Sequence, residues 1–468
     1  MQRPDIRWRG HEEALEEARR QRKPILLSLT AAWCSADGDP LAPVAGAQNL
    51  GDQRSLIDVC RQFVFARVDV ERRPDVYHRY EPADLPSTLL LGPDGEVLLG
   101  DAARTWSGAQ AELRPGQAGW TAPAADLRPA LAAVEGMLLM SFDEIHGGFG
   151  IAPKHPEGYA LAYAVDRHQV SSGQRWQEVF TLSLDGITRG LFDAASGGFY
   201  RSAEWRDWQV PTTAKLLGIN AEVIRAYVRA YEVTQRTGYL DVANRSLQFV
   251  LTALRGPAFF GSVAPGGRLD RTIYLPPNEE MIGTLLLAAQ VTGEADYADH
   301  ARQVQRYLLE HVFDPERGFA HYYDDDGAPH LYGLLLDNAA ALVGLARTYA
   351  ALLDPDYLAA AVRTAELILS DFFRGADLAS QASWPAGGVA FQDGVLAAEG
   401  LLSLGRLTGS ARYCRAARQL AGVLTASLAG QRAGALARFG SLLQSLLEVE
   451  AKEQGSPGDP RQERGPAR

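Results

Sequence analysis

The sequence predicts an α/β unit over residues 1–104 followed by an all-α (α/α)6 toroid over residues 124–450. Three observations predict it. Strand-length apolar runs alternate with helical patterns near the N-terminus. A tyrosine-marked repeat runs through the remainder. The helix-length segments of that remainder fall into pairs joined by long loops.

The front unit opens with HEEALEEARRQR (residues 11–22), a charged amphipathic helix. PILLSLT (24–30) is a continuous apolar run of the kind buried on both faces of a sheet. Ala31-Ala32-Trp33-Cys34 follows, then a helix-like stretch, SLIDVCRQF, and a second strand, VFARVDV, ending at Val70. Leu85-Pro86 opens a third strand, STLLL. Gly92-Pro93-Asp94-Gly95 turns it into a hairpin with EVLLG.

In the second part, Tyr239, Tyr297, Tyr357 and Tyr413 recur at intervals of 58, 60 and 56 residues, each followed by an alanine four positions on. Periodicity places helices near 127–141, 157–170, 174–190, 214–234, 238–253, 278–292, 296–312, 334–351, 356–373, 391–406, 410–427 and 434–450. Links within a pair are long (191–213, 313–333) and links between pairs are short (293–295, 352–355). The second helix of each pair is the more apolar, as in GINAEVIRAYVRAY and DNAALVGLARTYAAL. That marks an inner ring of six. Residues 105–123 read as a linker, and 451–468 as a disordered tail with no apolar pattern.

Composition narrows the function. With 46 basic and 57 acidic residues the net charge is −11, which argues against a nucleic-acid partner. No run of 18 uncharged apolar residues is present, so no membrane span is expected. Three cysteines and an N-terminus without an apolar leader segment point to a cytoplasmic protein without a disulfide framework. No cofactor is implied. No histidine pair has helical metal-ligand spacing, so no metal site is predicted.

The order helix, strand, Trp-Cys, helix, strand, Pro, hairpin resembles thioredoxin. VDVERRPDVYHRY (68–80) and LPSTLLLGPDGE (85–96) are similar to the corresponding domain of the spermatogenesis-associated protein 20 family, whose bacterial members are the YyaL-like proteins. The resemblance implies a thioredoxin-like domain joined to a helical toroid, with cis geometry at Pro86 facing the cysteine. Thioredoxin chemistry needs a second cysteine to resolve the mixed disulfide. Asp37 occupies that position, so Cys34 is limited to monothiol chemistry, and Trp33, Asp37 and Pro86 become candidate binding residues beside it. Cys60 and Cys414 read as core.

The toroid's long loops carry Gly147-Gly148-Phe149, Gly197-Gly198-Phe199 and Arg317-Gly318-Phe319, with Trp205, Trp208 and Trp384 on the same rim. Aromatic faces with scattered carboxylates suit a small carbohydrate-like ligand, and Phe149, Phe199 and Trp208 are the candidate platforms; plugging of the ring is the structural alternative. Lys154 and Lys215 are half of the four lysines and sit in family-like motifs. In relatives the second motif runs Val-Pro-His-Phe-Glu-Lys-Met-Leu-Tyr-Asp-Asn-Ala. Here Val210, Pro211, Lys215 and Asn220 match, while Thr212, Ala214 and Ile219 replace its His, Glu and Asp. Asn278 matches a later motif. Asp337 opens an inner helix and is either a catalytic carboxylate or an N-cap. The candidate catalytic residues are Cys34, Lys215 and Asp337. Lys154, Asn220 and Asn278 join the binding set. Two function classes follow: a monothiol redox or non-catalytic binding protein with a thiol-containing partner, or a glycosidase- or epimerase-like toroid.

Overall fold

A computed structural model of the chain describes residues 7–34, 62–80, 82, 85–99, 126–171, 173–374, 377–378 and 390–455. Asp37, Cys60, Trp384 and the expected linker lie outside the described residues.

The front domain packs α1 (His11–Gln21) and α2 (Pro74–Tyr80) with a sheet of β1 (Ile25–Thr30), β2 (Val64–Asp69), β3 (Ser87–Leu91) and β4 (Val97–Leu99). Strand order is β2-β1-β3-β4; β1 runs parallel to β2 and antiparallel to β3, and β4 returns antiparallel to β3. This is the order and direction of a thioredoxin-like sheet. Every residue of β1 except Thr30 is buried, as its unbroken apolar run requires. The Leu85–Pro86 bond is cis, and Pro86 itself is exposed.

The toroid has twelve helices among the described residues. The inner ring is α4 (Gly158–Ser171), α6 (Leu217–Thr234), α8 (Leu275–Thr292), α10 (Leu335–Leu352), α12 (Phe391–Thr408) and α14 (Ala433–Gly455). The outer layer is α3 (Arg128–Ser141), α5 (Gln174–Gly190), α7 (Thr237–Ala253), α9 (Ala295–His311), α11 (Pro355–Leu367) and α13 (Ala411–Leu424). Each inner helix packs on the next, and α14 closes the ring against α4 while α3 covers it from outside. Inner helices bury nearly all-round apolar surface, whereas outer helices keep a charged face. All four marker tyrosines fall at the third position of an outer helix. Two expected boundaries shift. Residues 368–372 form a π-turn after α11. The α14 helix runs on through Ala451, Lys452, Glu453 and Gln454, which are good helix formers, to Gly455, rather than ending at 450.

The thioredoxin-like domain sits on the long-loop mouth of the ring. Its Glu71 carbonyl oxygen accepts a hydrogen bond from His321 (2.7 Å). Arg72 reaches Thr272 (2.9 Å) and Asp324 (2.8 Å). Ala214 completes the apolar cluster that contains Trp33 and Cys34.

Candidate functional site

Several residues expected to bind or react are staples of the long loops. Asp143 and Asp193 each open a turn that ends in Gly-Gly-Phe. Asp143 accepts from the backbone of Ile145 and His146, from Arg206, and from Lys154 at 2.8 Å. Lys154 is fully buried and also donates to the Gly150 carbonyl oxygen. Lys215 donates to Asp193, Ser196 and the Gly197 carbonyl oxygen at 2.6–2.7 Å, so its three protons are all committed. Gly147 and Gly197 take φ of +75°, and a Cβ there would strike the backbone of α5 or α7. Lys215 is therefore not a free catalytic amine and Lys154 is not open to a ligand.

Asn220 and Asn278 are likewise structural. Each stands at the fourth position of its inner helix. Each accepts from the backbone N–H of a loop phenylalanine (Phe199, 2.8 Å; Phe259, 2.9 Å) and donates to the carbonyl oxygen four residues back. Asn338 does the same for Phe319. Phe199, Phe259 and Phe319 are thus equivalent points of the repeat. Phe149, Phe199 and Trp208 are buried in the core, and the Trp208 indole donates to the His146 carbonyl oxygen, so none offers a face to a sugar. Ionic side chains, and not these aromatics, line the axis. A rim groove of about 590 Å³ does exist beside Lys215, between Asp193, Tyr200, Phe249 and Leu269.

At the domain junction, burial pushes the Cys34 thiol up, and the thiol is 9% exposed. The side chains of Ala214 and Leu216 face this domain while Lys215, between them, turns into the groove. Cys34 lies in the apolar cluster and Lys215 in the groove, on opposite sides of this strand. Trp33 is buried, with the Arg201 guanidinium 4.2 Å over its ring. Asp337 is wholly buried and pairs with His321 Nδ1 at 2.7 Å, while His321 Nε2 donates to Glu71. A ring nitrogen facing a carbonyl oxygen must carry a proton, so His321 and Asp337 share the second proton between them. Burial raises Asp337 above the ordinary carboxylate range. Burial alone would lower His321, but the Asp337 charge raises it, so the clasp holds its proton. Asp337 acts as part of this clasp between the domains rather than as an open acid or base.

Burial, Asp69 and Asp270 push Glu71 up to about 8 from an ordinary 4.5. The folded protein then binds more protons than the unfolded chain between those values, so stability falls as pH rises through this window. Urea midpoints should decline from about pH 4.5 to about pH 8, with a shallower slope in Glu71→Gln.

Below the junction, each inner helix sends a polar side chain to the axis: Tyr159 from α4, Arg225 from α6, Glu280 from α8, Arg347 from α10, Glu399 from α12 and Arg438 from α14. Arg438 bonds Glu399 (2.7 Å), Tyr159 (2.8 Å) and Glu280 (2.9 Å). Arg347 bonds Glu399 at 2.7 Å and lies 3.6 Å from Glu280; Arg225 lies 3.8 Å from Glu280. The five charged side chains keep 12–27% of their surface accessible although they sit inside the ring, so they line a polar axial chamber. Burial alone would raise Glu280, but Arg438, Arg347 and Arg225 hold it well below the carboxylate range. Glu222, one turn before Arg225, is pushed up to about 8 by burial and by the charges of Glu157 and Glu280. Two neighbouring carboxyls therefore hold opposite protonation states at neutral pH.

The chain is 27% identical over 293 residues to human spermatogenesis-associated protein 20, a match covering 52% of this chain and 36% of the relative. The chain is related to spermatogenesis-associated protein 20. It spans about a third of the length of that relative. No protein-family model matches it. Among solved structures, cellobiose 2-epimerase from Spirochaeta thermophila superposes with a TM-score of 0.58 at 16% identity, covering 70% of this chain and 100% of that one. A D-mannose isomerase gives 0.60 at 12% identity, covering 70% and 100%. At these identities the likeness establishes the (α/α)6 fold alone. No described helix is long and apolar enough to cross a membrane.

Reading the sequence missed Glu71, Glu222, Arg225, Glu280, Arg347, Glu399 and Arg438 as site residues. The available signal was a charge inside an otherwise apolar inner helix, as with Glu222 and Arg225 in GINAEVIRAYVRAY.

Proposed function

We propose that the chain is a proton-transfer isomerase or epimerase for a small reducing sugar, acting in the axial chamber with Glu222 as the acid–base group. One observation carries this: Glu222 stands one turn before Arg225 on the inner helix α6, with a proton affinity near neutrality, beside an ionised Glu280 that the arginines lock. A group with a pKa of about 8 can take a proton and give it back near physiological pH. In the proposed step, the Glu222 carboxylate takes the proton from C2 of the open-chain aldose. The C–H electron pair forms the C1=C2 double bond, and the C1=O1 π pair takes a proton from water to give the enediol. Glu222 then returns its proton to C1 as O2 gives its proton to water, leaving the ketose; if the enediol first turns over in the chamber, return to the other face of C2 with loss of the O1 proton to water gives the epimer.

Glycoside cleavage fits less well, because it needs a second carboxyl free to attack or to activate water. Glu280 is bound to its arginines instead. A thiol role fits less well again, because Cys34 is buried with a raised pKa and thiolate is the reactive form. The toroid's likeness to a cellobiose 2-epimerase and a D-mannose isomerase supports the reading, although fold does not fix function.

The test is incubation of the full chain with glucose, mannose and cellobiose in D2O, followed by NMR at C2. Deuterium should enter at least one aldose. The rate should rise with pH to a plateau above about 8, because the deprotonated form starts the step. Cys34→Ser should exchange as fast as the parent. Absence of deuterium from every aldose, with the protein folded, would overturn the proposal.

A further inference from the structure

The two domains meet through a thin contact. Each has its own apolar core. Among the described residues, Ala214 and the half-buried Leu216 are the toroid side chains that join the core of the thioredoxin-like domain. The rest of the contact is polar. His321 donates to the Glu71 carbonyl oxygen, Arg72 reaches Thr272 and Asp324, Arg268 donates to the Ala32 carbonyl oxygen, and the Arg201 guanidinium lies over Trp33. A junction with so little apolar surface is where one domain parts from another most readily.

The centre of this junction works against docking. Asp69 from the same domain and Asp270 from the toroid both act on Glu71 with negative charge. On the toroid side Tyr274 is a neutral neighbour, held protonated by burial and by these three carboxyls. Cys34 is a second neutral neighbour, its thiol raised by burial. Glu71 Oε2, Asp270 Oδ2 and the Tyr274 hydroxyl oxygen are buried and make no hydrogen bond. The cations of the junction are turned elsewhere: Arg72 to Asp324, Arg268 to a carbonyl oxygen and Arg201 to an indole face. His321 pairs with Asp337 and meets Glu71 at its backbone. An ionised Glu71 side chain thus has no cation to receive it while docked. Release returns all three unpartnered groups to water.

We infer that the thioredoxin-like domain is a proton-latched cap, docked on the long-loop mouth while the Glu71 carboxyl is protonated and released when that proton is lost. Docking lifts Glu71 from an ordinary 4.5 to about 8, so the docked form holds a proton that the released form gives up. Docking therefore weakens as pH rises between those values, and one such proton changes the released-to-docked ratio by about tenfold per pH unit. The toroid's share of the junction comes from segments that lead into α6, α8 and α10, so release uncovers the end of the ring where those inner helices begin. The inference does not depend on sugar turnover.

Small-angle X-ray scattering of the full chain at about pH 5.5 and about pH 8.5, with circular dichroism on the same samples, tests this. The released-to-docked ratio should rise by at least about 100-fold between them. The radius of gyration should grow, return when the pH is brought back, and change without loss of helix. Glu71→Gln keeps the shape of the protonated side chain and should hold the compact radius at both pH values. Asp270→Asn removes one of the repelling charges and should stay docked to higher pH than the parent, which keeps the test open if Glu71→Gln fails to fold. A parent radius that does not change, growth accompanied by loss of helix, growth that persists in Glu71→Gln, or release unaltered by Asp270→Asn would overturn the inference.

Discussion

Glu222→Gln is expected to lower deuterium exchange into the sugar by about 10²–10⁴-fold, the usual contribution of a positioned acid–base group. The amide keeps the shape of the neutral acid that Glu222 presents at pH 7, so sugar affinity and the urea midpoint should hold. Loss should therefore appear in kcat with little change in KM. The variant separates chemistry from architecture, because Glu222 belongs to none of the hydrogen bonds that tie the axial ring together. Its proton affinity depends on burial first and then on Glu157 and Glu280. Glu280→Gln should accordingly shift the pH at which exchange begins toward acid, since it removes one of the repelling charges. A Glu222→Gln protein that exchanges at the parent rate would remove Glu222 from the mechanism.

Asp143→Asn is expected to be the most damaging single change for folding, at about 3–5 kcal/mol, the cost of breaking a buried ion pair by removing one partner. Asp143 and Lys154 are 2% and 0% exposed. The substitution leaves the Lys154 ammonium in the core with the Gly150 carbonyl oxygen as its remaining full-strength acceptor, and it frees Arg206 from the turn. Denaturant titration of the full chain checks the magnitude. The double variant Asp143→Asn with Lys154→Met should recover much of the loss, because apolar replacement of a buried pair is often close to neutral. It should also retain sugar turnover, because this pair holds a loop rather than a ligand. If Lys154→Met alone abolished exchange without a shift in the midpoint, Lys154 would have to be returned to the reacting groups.

The architecture was legible where a local pattern repeats. The tyrosine marks fall at one position in four outer helices, and short links after apolar helices alternate with long ones before them. An apolar strand such as ILLSLT has few alternatives to a sheet interior. The site was harder to read because its members come from six helices far apart in the chain. Arg438 and Tyr159 are 279 residues apart, and the Glu71–His321 clasp spans 250. Charged residues on the inner helices look like interruptions until the ring brings them together. The Lys154 and Lys215 motifs attracted attention for the opposite reason. A lysine conspicuous in an arginine-rich chain reads as chemistry, yet each satisfies a turn's carbonyl oxygen and carboxylate, for which a compact ammonium is well shaped. Asn220 and Asn278 misled in the same way, since an amide that fastens a loop to a helix start looks identical in sequence to one that binds a ligand.

The central claim is that the axial chamber holds a protonated carboxyl poised for exchange, and infrared carboxyl titration measures it most directly. Glu71, Glu222 and Glu279 are each pushed up to about 8, so three carboxyl bands should lose their protons near that pH in the parent. Glu222→Gln should leave two. A full set of three bands in Glu222→Gln, or carboxyls that have all ionised below about pH 6, would contradict the account.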